Sequence, residues 1–166
     1  MLRNFYENNT YYLQHLIRQY DRNIFSGVAG VLAAAGFLGY FYFNHFNPQW
    51  VTNWMAYLVT LAAFRIVLSY FYKIDKISPQ NYLFSIYANF TLTALGWAFV
   101  SFAFLDLNNF TILLITYITL AAIATGSFVT LIGFKYFGML YISATLLPLI
   151  INTFLFSNIL RTELTI

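Results

Sequence analysis

The chain reads as an all-α protein, a polytopic bundle of transmembrane helices, and three observations carry that reading. Of its 166 residues 61% are hydrophobic and only 8% are charged. No charged side chain occurs between Arg22 and Arg65, and three more long apolar stretches follow. A hydrocarbon core about 30 Å thick is crossed by about 20 apolar residues at a rise of 1.5 Å, and each stretch reaches that length. Five spans are visible, and a sixth is expected to be missing or only begun.

Residues 1–22 stand apart as a cytoplasmic interfacial segment. Phe5, Tyr12, Leu16 and Tyr20 recur at helical spacing with Arg18, Asp21 and Arg22 on other faces, the pattern of an amphipathic helix lying on the membrane. This is no signal peptide, because polar and aromatic residues alternate and Glu7 and Asp21 intrude. The transmembrane bundle occupies 23–156. Its first span, 23–46, carries Ser26, Gly30 and Ala34 at four-residue intervals, a stripe that lets another helix approach. Asn47-Pro48 ends it, since the residue before proline is pushed out of the helical region. The second span, 50–72, stops at the polar turn from Lys73 to Pro79, and the third, 81–105, at Asp106 to Asn109. The fourth, 110–132, repeats the small pattern at Ala122, Gly126 and Thr130. The fifth, 136–156, contains Pro148, which a membrane helix tolerates with a kink. Residues 157–166 form an external loop or the start of a sixth span. Gly30, Gly96 and Gly126 are expected as helix-packing positions.

Topology follows from the basic residues. Alternating the spans puts Arg3, Arg18, Arg22, Lys73, Lys76 and Lys135 on one side and only Arg161 on the other, which makes the N-terminus cytoplasmic. Trp50 and Trp54 then fall at the outer interface, where amphipathic indoles belong.

Composition closes off several functions. Cysteine is absent, and the two histidines, His15 and His45, lie in different segments, so no metal site is expected. The net charge of +3 is scattered rather than clustered, and nucleic acid is not an expected partner. Paired carboxylates, histidine clusters and an activated nucleophile beside a base are all missing, so no catalytic residue and no cofactor is assigned. A transporter is disfavoured by the lack of intramembrane carboxylates and of an inverted repeat.

Among polar groups Arg65 stands out. An arginine at the bilayer centre costs about 2.5–3.5 kcal/mol on insertion scales, so it needs a reason. It lies about 12 Å deep, counted from Lys73 at the helical rise. Either its long stem carries the guanidinium back to the inner phosphates, or the guanidinium bonds within the bundle. Asn89, Thr125 and Ser143 lie at the same depth on the third, fourth and fifth spans, and with Arg65 they form a candidate polar layer. In the outer half, Trp97, Pro148 and Asn152 fall at a common height and form a candidate cavity for a small hydrophobic ligand. Packing is the plain role for each of these residues.

The order of these markers suggests a family. An arginine late in the second span (Ala-Ala-Phe-Arg65), a basic loop, Leu-Gly96-Trp97, a small-residue fourth span (Leu-Ala-Ala-Ile-Ala-Thr-Gly126) and Leu-Leu-Pro148 follow one another. Together they resemble the six-span N-terminal sensory regions of bacterial signalling proteins that precede a diguanylate cyclase (GGDEF) domain, often with an EAL domain, or a histidine kinase core. The resemblance covers about 23–156 and departs in lacking the sixth span and the output domain. It implies an inner-membrane sensor that works as a homodimer in the lipid bilayer and whose full-length form is a cyclase or kinase. A small stand-alone transport or channel-like protein is the alternative.

Overall fold

A computed structural model of the chain describes the backbone of residues 2–104, 106, 109–131 and 135–163, with side-chain surroundings for those outside 2–13, 128–130, 135–137 and 156–163. Five helices make up the described structure: α1 (Leu2–Tyr42), α2 (Pro48–Lys73), α3 (Pro79–Ala103), α4 (Phe110–Thr130) and α5 (Lys135–Glu163). Each contains a stretch long and apolar enough to cross a membrane. The chain is therefore a polytopic helical membrane protein.

The helix starts are written in the sequence. Asn47 caps α2 by accepting from the Gln49 N–H at 2.9 Å, and Pro48 takes the first helical position, where a missing N–H costs nothing. Ser78 and Pro79 repeat the device on α3, and the Asn109 side chain accepts from the Ile112 N–H to start α4. The end of α2 is a Schellman turn. Lys76 N–H bonds to the Phe71 carbonyl and Asp75 N–H to that of Tyr72, with Asp75 held left-handed at φ 55.

The interfacial segment expected over 1–22 has no boundary of its own, because α1 runs unbroken for 41 residues. Nothing in the stretch breaks a helix, and one buried stripe, Ile17, Tyr20, Ile24, Val28, Val31, Ala35, Leu38 and Tyr42, crosses residues 22 and 23 at spacings of three and four. Arg18 and Arg22 mark the exposed face of the same helix. At the other end, α5 continues to Glu163, so residues 157–163 extend the fifth helix.

The helices form a ring in which α1 packs on α2, α2 on α3, α3 on α5, α5 on α4 and α4 back on α1, with a lighter contact of α1 to α3 across the middle. Large apolar side chains such as Phe25, Phe64, Phe84, Phe102 and Leu140 point outward, which suits a lipid environment. Of the three glycines expected to pack, Gly96 does so tightly. A Cβ there would lie 2.8 Å from the Tyr57 ring and 3.0 Å from Leu58. At Gly30 and Gly126 a Cβ would meet nothing within 4 Å. Those two glycines border a cleft between α1 and α4.

Candidate functional site: a buried arginine beside a cleft

The inner face of α3 is the polar spine of the bundle. Tyr82, Asn89, Thr93, Trp97 and Ser101 are all buried, the last four at successive four-residue steps. Arg65 reaches across from α2 and is only 4% exposed. Its Nε donates to Asn89 Oδ1 at 2.5 Å and its Nη2 to Thr93 Oγ1 at 2.7 Å. The guanidinium carbon sits 4.1 Å from the centre of the Phe90 ring, a cation–π position. Asn89 returns a bond to α2 by donating to the Leu61 carbonyl at 3.0 Å, and the Thr93 hydroxyl donates to the Asn89 carbonyl at 2.8 Å.

Each of these acceptors is neutral. Among the described residues the guanidinium is thus held by dipoles and one aromatic face rather than by a carboxylate. Tyr20 of α1 stands edge-on to Phe90 at 5.9 Å and Tyr141 of α5 at 5.7 Å, so the site draws on four helices.

Of the four expected layer residues, the structure joins Arg65 and Asn89. Thr125 is exposed and returns its hydroxyl to the Ala121 carbonyl one turn back, and Ser143 is also exposed. Each falls on the outward face of its helix. Thr93 was missed, although its place four residues beyond Asn89 puts it on the same face.

Asp21 was missed as well. Assigned to a surface segment, it is in fact half-buried inside the bundle, where its Oδ1 accepts from Ser69 at 3.0 Å and from Tyr82 at 2.5 Å. Tyr72 stacks on Tyr82 at 4.4 Å. The continuity of the α1 stripe through Ile17 and Ile24 was the signal that could have found it.

Of Trp97, Pro148 and Asn152, the expected cavity residues, Asn152 reaches from α5 to α3, and none of the three lines either cleft described below. The Asn152 amide donates to the Ser101 carbonyl, and Pro148 lies one turn below it. Trp97 is fully buried and meets Trp54 edge-on at 5.5 Å, while the Trp54 indole donates to the Gly96 carbonyl at 2.9 Å. Tyr141 approaches Trp97 without hydrogen-bond geometry, and the Trp97 Nε1 and Ser101 Oγ have no partner among the described residues.

Two clefts lie elsewhere. A groove of about 370 Å³ on the outer surface of α2 and α3 runs between Trp50, Tyr57, Leu95 and Phe99. A larger cleft of about 650 Å³ lies between α1 and α4 and extends inward to Arg65, Phe90 and Tyr141. Its walls include Gly27, Gly30, Ala34, Ala122 and Gly126. No family model, curated protein or solved structure matches this chain.

Proposed function

We propose that the chain is the membrane-embedded sensory domain of a bacterial signal-transduction protein. In this reading it lies in the inner membrane as a homodimer with its N-terminus cytoplasmic, and it passes a membrane or periplasmic cue to a cytoplasmic diguanylate cyclase or histidine kinase. The observation that carries the reading is Arg65, a buried cation tied to α3 by neutral groups and bordering a cleft. Neutral partners hold a charge less firmly than a carboxylate would, so a competing anion or a helix shift can redirect the guanidinium. An element with two such arrangements, whose balance a cue biases, is what signalling requires. Asp21, Ser69 and Tyr82 give the basic side of the bundle a second link between α1, α2 and α3, through which the movement would reach the output.

A small transport protein is the second reading, and Asp21 favours it by supplying a carboxylate within a span. The absence of cysteine from the chain makes one experiment suited to both. Spin labels on cysteines introduced at Gln19 and Lys76 report the separation of α1 from the turn after α2 in nanodiscs. The sensory reading expects Arg65→Met to shift that distance distribution, with no solute flux in proteoliposomes. An unchanged distribution together with measurable flux rejects the sensor and leaves the transporter.

A further inference from the structure

The cleft between α1 and α4 has a polar end and an apolar end, and its place along the membrane follows from contacts outside it. Asp21 bonds to Ser69 near one end of the α1–α2 pair, and Gly39 lies against Met55 near the other. Between those two fixed points Arg65 falls level with Ser26. The cleft therefore carries its charge at the Asn23 and Ser26 end and continues past Gly30 and Ala34 to Phe37 and Ile118. From Asn23 to Phe37 it follows α1 for about 21 Å at the helical rise.

Three properties restrict the occupant. Only two of the five guanidinium N–H donors engage described side chains, so donors remain for a ligand. Among the described residues no carboxylate bonds to the guanidinium, and the Asp21 Oδ1 accepts from Ser69 and Tyr82 instead, so a ligand bringing one negative charge balances the site. Gly30, Ala33, Ala122 and Gly126 are exposed at the rim, so the cleft opens sideways toward lipid.

We infer that this cleft binds a single-chain amphipathic carboxylate, a fatty-acid-type molecule drawn from the bilayer. Its carboxylate sits on Arg65, and its chain lies along the small-residue walls toward Phe37. A planar carboxylate matches the guanidinium fork, whereas a phosphate monoester carries about −1.5 to −2 charge and would leave the site over-compensated. The volume lies within the range of about 300–1,000 Å³ usual for small-molecule sites, which suits one chain better than a two-tailed lipid. The glycines acquire a purpose here, because each keeps the walls clear where a side chain would fill the space. The ligand class deepens the sensory reading, but the binding is argued from the cleft itself.

The test uses the full chain in nanodiscs of zwitterionic lipid, with a photoactivatable C16 fatty acid as probe. Labelling is expected on α1 between Asn23 and Phe37 and on α4 between Ile118 and Ser127. The corresponding C16 alcohol and lysophosphatidate should compete at least ~10-fold less well than palmitate, and inorganic phosphate not at all. Arg65→Gln should weaken labelling at least ~10-fold. Because that variant could also loosen the bundle, Gly30→Leu with Gly126→Leu provides a second arm, in which labelling falls while thermal stability holds. Equal competition by the alcohol, undiminished labelling in the filled variant, or labelling confined to the outer perimeter overturns the proposal. So does a wild-type cleft that never labels because a second copy of the chain covers it. Palmitate binding that leaves the α1 to α2-turn distance unchanged keeps the site and rejects the sensory reading.

Discussion

Replacing Asn89 by leucine removes the acceptor of the Arg65 Nε bond and the donor to the Leu61 carbonyl in one step. A charge-assisted bond is worth about 1.5–3 kcal/mol, and stripping one partner from a buried ion pair in a soluble protein costs about 3–5 kcal/mol. Polar contacts between membrane helices are weaker, about 0.6 kcal/mol on average and about 1.7 at most. Arg65 combines a full charge, 4% exposure and two short bonds to α3, so its coupling to Asn89 should lie near that upper bound, about 1.5 kcal/mol. The measurement is a double-mutant cycle of Asn89→Leu, Arg65→Met and both together, by equilibrium unfolding in mixed micelles. Trp54, buried against the third helix, and Trp97, buried on it, provide the fluorescence signal. The double variant should be more stable than the summed single effects suggest, because the two changes together leave no orphaned charge. A coupling below about 0.3 kcal/mol would mean the guanidinium spends its time at the headgroups, and the buried site would have to be abandoned.

Arg65→Lys should recover little of that coupling, since an ammonium lacks the planar fork that spans Asn89 and Thr93; full recovery in the same cycle would favour a point charge reaching the membrane surface. Gly96→Val should cost about 1–3 kcal/mol through overpacking against Tyr57 and Leu58, whereas Gly126→Ala, which meets open space, should be neutral or gain up to about 1 kcal/mol; equal effects in a micelle unfolding assay would contradict the contrast. Asp75→Gly should stabilise the protein by about 0.5–1 kcal/mol by relieving the left-handed turn, and a loss of stability would show that the carboxylate has work elsewhere. Single cysteines at Asn47 and Lys76 should differ in intact cells, Asn47 reacting with an impermeant thiol reagent and Lys76 not; the reverse pattern inverts the proposed topology.

The five spans were legible because lipid requires long apolar stretches, and their boundaries because Asn47-Pro48, Ser78-Pro79 and Asn109 are local capping signals. Facing was not. Thr125 and Ser143 were expected beside Arg65 yet turn outward, because in a bilayer both faces of a span are apolar and periodicity loses its contrast. Thr93 shares the face of Asn89 by simple spacing, and it went unread because a lone threonine in a span usually bonds its own backbone, as Thr125 does. The interfacial reading of residues 1–22 does not anticipate Asp21, whose hydrogen bonds come from Ser69 and Tyr82 within the bundle. The cleft between α1 and α4 was not legible, because Gly30 and Gly126 are expected as packing positions and leave space instead.

The unbroken course of α1 has a mechanical consequence. At 41 residues it is about 60 Å long, and its apolar span is the 29 residues Gln14–Tyr42, so the residues from Leu2 to Leu13 carry the same rod about 18 Å further. A rigid rod pivoting inside the membrane acts as a lever. A tilt of about 5° at the level of Arg65 displaces a point about 30 Å away by roughly 2.6 Å, comparable to the helix shifts by which other proteins switch. A small adjustment around one arginine would thus arrive at the Leu2 end of the rod already enlarged, with no hinge needed along the way.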